Sequence, residues 1–178
     1  MGGDREAGMS CLDPGHRGER GRAAWWMEPP LDRLVHALKY GGRDDLARPL
    51  GGLLARRVAL PGEAVVASVP LHRTRLRERG YNQAALLARW AAVAWGAQWE
   101  PRVLERSRAT RAQARLTQDR RARNVSGAFR VPAPEAVRGR TLVLVDDVGT
   151  TGSTLVEAAR ALAGAGAERV VPVVLALA

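Results

Sequence analysis

Three runs of this chain, residues 64–69, 142–146 and 169–176, are apolar almost from end to end. A strand with one wet face alternates apolar and polar residues; a strand buried on both faces has no reason to. The runs are rich in β-branched residues, and the segments between them carry helical spacing. Strands of this kind alternating with helices specify an α/β fold, a mainly parallel sheet flanked by helices on both faces. In such sheets ligands bind at the carboxyl ends of the strands. The polar loops 71–80 and 147–153 both leave strands at that edge.

The punctuation places the remaining elements. Leu31, Leu34, Val35 and Leu38 share one helix face, and Gly41-Gly42 stops the helix. A second helix is expected over Asp44 to Val58 with Leu46, Leu50, Leu53 and Leu54 inward, and Pro49 lies near its start. Asn82 can cap a helix reaching Trp95, with Leu86, Leu87, Trp90 and Val93 available for burial. Short strands are expected over Arg102 to Glu105 and Ala128 to Val131, then a strand Thr141 to Asp146, a helix Ser153 to Ala163 and a last strand Arg169 to Leu177. Pro172 within that strand argues for an edge position or a bulge. The segment 106–127 is the least core-like, with Leu116 and Val125 its only sizeable apolar residues and a short helix expected from Thr117.

A length of 178 residues suits one domain with a real core. Residues 1–24 lack apolar periodicity and read as a flexible N-terminal tail, leaving a domain over 25–178 of which 25–60 is a helical N-terminal extension. No stretch approaches the ~20 apolar residues of a membrane span, and the N-terminus has no signal-peptide core, so a cytoplasmic location is expected. The formal net charge is +10, and Lys39 is the only lysine among 28 basic residues. Such a balance fits solvated helix faces and equally an anion-binding surface for phosphates or nucleic acid. The lone Cys11 leaves no partner for an internal disulfide, and with only His16 nearby it makes no zinc cluster.

The stretch LVLVDDVGTTGSTL, residues 142–155, carries the chemistry. The strand ends in two acids, Asp146 and Asp147. Beyond Val148 and Gly149 come Thr150, Thr151, Gly152, Ser153 and Thr154, turning into a helix. The first amides of a helix lack intrahelical partners and carry a partial positive charge, glycine allows close approach, and hydroxyls add donors. This combination holds a phosphate monoester without the lysine or spacing of a Walker loop. Acids next to an anion cradle make sense when the ligand has two ends, a phosphate and a vicinal diol. The same acids favour Mg2+. A solvated β–α turn with a cap would use similar residues, but not the whole pattern of apolar run, paired acids and T-T-G-x-T.

VLVDDVGTTGST resembles the signature of type I phosphoribosyltransferases, which use 5-phosphoribosyl-1-pyrophosphate with Mg2+. VPLHRTRLRERGYNQA (69–84), TRAQARLTQDRRARNVSGAF (110–129) and KYGG from Lys39 resemble the ComF family of phosphoribosyltransferase-like proteins, linked to competence and DNA uptake. The resemblance covers roughly residues 30–178. It implies that Asp146 and Asp147 meet the ribose hydroxyls and, directly or through water, Mg2+, that 148–154 hold the 5-phosphate end, and that the loop after Val69-Pro70 binds pyrophosphate through Leu71, Arg73, Arg77 and Arg79. It also implies that 106–127 is a mobile closing loop whose Arg108, Arg111 or Arg115 meets the developing pyrophosphate. The implied activity is phosphoribosyl transfer to an unknown nitrogenous base in nucleotide metabolism. A non-catalytic ligand-binding regulator and a competence factor associated with single-stranded DNA are the competing readings. A homodimer and competence-machinery partners are compatible with either. ComF-like proteins often begin with a Cys-x-x-Cys zinc ribbon, and the single Cys11 departs from that pattern. Trp25-Trp26 could stack on a base or simply pack, and His72 reads as structural rather than catalytic.

Overall fold

The computed structural model describes residues 7–9, 21–108 and 125–178. Its centre is a six-stranded sheet built from β1 (Ala7–Met9), β2 (Gly21–Trp26), β3 (Val65–Ser68), β4 (Gln98–Trp99), β7 (Thr141–Gly149) and β8 (Arg169–Leu177). The order is β1-β2-β8-β7-β3-β4, with β1 antiparallel at one edge and the other five strands parallel. β5 (Glu105–Arg106) and β6 (Phe129–Arg130) form a separate antiparallel pair. The helices are α1 (Leu31–Tyr40), α2 (Ala47–Arg57), α3 (Arg73–Arg79), α4 (Gln83–Trp95) and α5 (Ser153–Gly164).

The apolar runs are double-sided as their composition requires. Leu142 and Leu144 of β7 join Val65 and Ala67 of β3 in a core under α5, which adds Leu155, Ala158 and Leu162. Their neighbours Val143, Val145 and Val66 face the other way, into a core with Val35 and Leu38 of α1, Leu50 and Leu54 of α2 and Leu87 of α4. Each fully buried leucine of this kind contributes about 1.5–3 kcal/mol relative to exposure. Helices on both faces of a mainly parallel sheet are therefore the direct consequence of strands without a polar side.

Several expectations need correction. Residues 21–24, assigned to a flexible tail, belong to β2, which pairs with β8 from Arg22 opposite Val173 to Trp26 opposite Leu177. The strand expected over 102–105 is split: β4 lies earlier, at Gln98–Trp99, and Glu105 starts the separate β5. Pro172 sits in an interior strand, not at an edge. It is opposite Leu144 of β7, and the β2 ladder begins only at Val173, so the missing N–H falls where one neighbour strand has ended. Leu53 and Val93, expected inward, are 45% and 65% exposed. The buried face of α4 is mostly alanine, Ala84, Ala88, Ala91 and Ala92 around Leu87. Small residues let α4 lie close, and a reading that tracks bulky side chains misses such a face. The polar stretch 71–80, taken as a loop, contains the two-turn helix α3. Cys11, His16 and the helix expected from Thr117 lie outside the described residues.

Candidate functional site at the carboxyl edge

β7 is longer than its apolar run. Its pairing with β8 continues to Gly149 opposite Leu177, so both acids lie inside the strand. Successive strand residues point to opposite faces. Asp147 therefore falls on the side of Val143 and Val145, and Asp146 on the side of Leu142 and Leu144.

Asp147 is only 3% exposed. Its Oδ1 accepts the Val148 amide at 2.8 Å, and Lys39 Nζ from the last turn of α1 lies 3.1 Å from Oδ2. That oxygen is buried and accepts no well-aligned hydrogen bond. The contact is a charge pair with directional capacity left over. Asp146 accepts the Asp147 amide on Oδ1 at 2.8 Å. Desolvation, then the neighbouring Asp147 charge, raise its carboxyl well above the ordinary range, and Lys39 only partly opposes this. Adjacent acids repel, and Lys39, in contact with Asp147, offsets the charge at Asp146 only in part.

The anion cradle follows at once. Gly152, φ +73°, is the N-cap of α5, and no side chain caps that end. The positive φ is accessible to glycine and costly for other residues. Thr151 Oγ1 and Ser153 Oγ lie 3.0 Å apart. Thr150 is exposed, Gly152 buried and the other three partly covered.

Across the edge, Val69 continues the pairing of β3 by donating to Val145 O at 2.9 Å. Asn82 then holds two elements at once: Oδ1 accepts the Ala84 amide at 3.1 Å as the α4 cap, and Nδ2 donates to Val69 O at 3.0 Å. Leu71 and His72 are half-buried, and His72 Nδ1 caps α3 by accepting from Thr74 N at 3.3 Å, a structural role. Because 73–79 is helical, its arginines sort by face. Arg75 and Arg79, one turn apart, line a cleft of about 200 Å3 with Lys39, Tyr40, Gly42, Glu78 and Tyr81. Arg73 and Arg77 are exposed and do not line it. Arg79 also donates to Gln83 Oε1 and stacks 5.0 Å from the Tyr40 ring. Tyr81 Oη donates to Leu38 O at 2.6 Å and ties this corner to α1.

On the opposite face, Phe129 of β6 packs in the core with Leu142 and Leu144 of β7. Arg106 stacks 5.4 Å from Phe129; desolvation lowers its pKa, and the Asp146 charge works against that shift. Arg108 Nη2 donates to Ser126 O at 2.5 Å, and Glu157 Oε1 of α5 accepts the Gly127 amide at 2.6 Å. Arg111 and Arg115 lie outside the described residues. The structure thus places Asp146, Asp147 and Thr150–Thr154 along one strand and turn, and Lys39 links Asp147 to the cleft that Arg79 lines. It adds Lys39, Tyr40, Arg75 and Arg106, which the sequence reading did not select. The available signals for Lys39 were its standing as the solitary lysine and the KYGG stretch that it opens. Trp25 packs partly against the core, while Trp26 is half exposed at the end of β2.

The mainly parallel sheet with helices on both faces is the type I phosphoribosyltransferase fold. The phosphoribosyl transferase domain family matches residues 99–178. Among solved structures, the glutamine phosphoribosylpyrophosphate amidotransferase of B. subtilis superposes over 78% of this chain and 30% of its own, with a TM-score of 0.54 and 24% identity. Curated relatives include the DNA utilization protein YhgH of Escherichia coli K12, 42% identical over 151 residues, and that of Salmonella typhi, 41% over 149, each covering 80% of this chain. Competence protein F of Haemophilus influenzae is 32% identical over 158 residues, 79% of this chain. The chain spans 65% of the length of these relatives. The domain match and these relatives support a ComF-family, phosphoribosyltransferase-like protein.

Proposed function

We propose that this edge binds 5-phosphoribosyl-1-pyrophosphate with Mg2+ and that the protein transfers the phosphoribosyl group to a nitrogenous base, releasing pyrophosphate. The observation that carries the reading is the placement of Asp146 and Asp147 on the same strand that delivers the uncapped N-terminus of α5. A diol and a phosphate at the two ends of one sugar match that arrangement. Asp146 and Asp147 accept from the ribose hydroxyls. The turn 150–154, reached through Val148 and Gly149, holds the 5-phosphate with amides and hydroxyls. Leu71, Arg73 and Arg77 face the pyrophosphate, and Arg108 adds a cation from the opposite side.

The donor set also fits Mg2+. A hard ion takes carboxylate oxygens, and Asp147 Oδ2 is a buried oxygen without a well-aligned hydrogen bond. Among the described residues no group of three or more His, Cys, Asp or Glu gathers, which suits an ion held by one or two carboxylates, water and substrate phosphates. Asp146 and Asp147 would hold it; bound, it supplies charge neutralisation for the leaving pyrophosphate. In the transfer, the acceptor nitrogen forms a bond to the anomeric carbon. The carbon–oxygen bond breaks with its electron pair leaving on pyrophosphate, and an acceptor N–H proton, where present, passes to solvent. The chain's contribution is orientation of the sugar and preorganised charge around the leaving group.

Titration calorimetry tests this. Donor binding should require Mg2+ and weaken at least about tenfold in Asp147→Asn, the loss of a charge-assisted contact. Undiminished binding in that variant refutes the site. Mg2+-dependent binding without pyrophosphate release for any base would make the protein a ligand-binding regulator.

A role with DNA is favoured by the names of the relatives and by the +10 charge. Binding to a single-stranded oligonucleotide should then fall steeply between about 50 and 200 mM salt. Absent or salt-insensitive binding removes that role.

A further inference from the structure

The cleft beside Lys39 is more than an extension of the sugar site. It contains no residue of the 150–154 turn, and Lys39, which lines it, lies 3.1 Å from Asp147 Oδ2. Lys39 thus links the cleft to the acids. On the reading above, a donor with its diol at the acids has its sugar beside the cleft.

The chemistry of the walls is specific. Lys39, Arg75 and Arg79 contribute three cations, against the single acid Glu78, which lies 3.4 Å from Arg75. Tyr40 offers a flat ring that is 66% exposed although it belongs to a helix docked on the core. Its ring sits 5.1 Å from His36 and 5.0 Å from the Arg79 guanidinium. A large aromatic surface left in water beside paired cations does nothing for a phosphate, which needs donors only. It suits a planar ring that stacks while an acidic substituent meets the cations. At about 200 Å3 the cleft falls below the ~300–1,000 Å3 typical of drug-sized ligands and fits a single ring.

We propose that this cleft is the acceptor site and that the acceptor is a single-ring nitrogen heterocycle bearing a carboxylate, stacked on Tyr40 with its acid toward Lys39 and Arg75. The inference rests on the donor reading, and two measurements keep them separate. In the first, pyrophosphate release is followed with saturating donor and Mg2+ for nicotinate against nicotinamide and for orotate against uracil. At least one acid should exceed its neutral counterpart about tenfold or more in kcat/KM, the discrimination expected of a site built for a charged group. Tyr40→Ala should raise the acid's KM about tenfold with donor affinity by calorimetry unchanged, and Tyr40→Phe should restore it. In the second, saturation-transfer NMR with the same four compounds and no donor reads the cleft alone. Signals from an acid that vanish in Tyr40→Ala support the site even if donor binding fails. Equal response to acid and neutral rings, preference for neutral bases, or binding indifferent to Tyr40 in both measurements overturns it.

Discussion

Asp147 and Lys39 illustrate how a site is held ready at the level of single side chains. The carboxylate is nearly sealed from water, and the ammonium is its compensating charge, with side chains 5% and 21% exposed. Removing one partner of such a pair strands the other. Lys39→Met should lower unfolding stability by about 3 kcal/mol, at the low end for buried pairs because Lys39 retains some solvent, and Lys39→Met with Asp147→Asn should recover most of the loss. Urea denaturation of the two variants checks both. Asp146 behaves oppositely. Its folded pKa is raised, so its contribution is fully present below the unfolded carboxylate value of about 3.9 and is lost as pH rises through the higher folded value. Ligand-free Asp146→Asn should therefore melt higher than the parent at pH 7, by about 2–4 °C for each ~1 kcal/mol relieved, and the difference should close as the pH drops below 4. A gap that persists in acid would deny that charge burial is the cause.

Elements carry the next set of constraints. α2 and α4 approach so closely at Gly51 that an added Cβ would lie 2.7 Å from Trp90 Cβ and 2.8 Å from Leu87 O. The adjacent Gly52 meets nothing within 4 Å. Gly51→Ala should cost about 1–3 kcal/mol through overpacking, while Gly52→Ala should gain up to about 1 kcal/mol in helix propensity. Thermal melts of the pair give opposite signs if the helices are seated as described. Asn82 is the corresponding hinge pin between elements, since one amide side chain caps α4 and holds the Val69 carbonyl. Asn82→Ala should cost about 1–2 kcal/mol as a lost cap. It should also weaken donor binding by loosening the loop 69–72; Asn82→Asp, which keeps the cap but not the donor N–H, separates the two effects.

Across the whole molecule, the +10 charge sets long-range behaviour. A small, highly charged anion approaching a cationic edge is steered by that field, and salt screens it within about 8–10 Å at physiological ionic strength. Association of the pyrophosphate donor should slow as salt rises from 20 to 300 mM (an estimated working range), while its dissociation rate changes little. Stopped-flow measurement of both rates is the check. Among the described residues no helix is long and apolar enough to cross a membrane.

The apolar runs dictated a doubly covered parallel sheet, because strands with no polar face have no other stable home. The run of acids, glycine and hydroxyls marked the candidate site, because those residue types act through local backbone geometry. Everything dependent on which distant groups meet came from packing. That Lys39 neutralises Asp147 across more than a hundred residues of chain, that Arg75 and not Arg73 turns toward the cleft, and that Arg106 feels Asp146 are consequences of helix phase and of the strand alternation that sends adjacent acids to opposite faces. Spacing along the chain records local periodicity; only the folded layers convert it into neighbours.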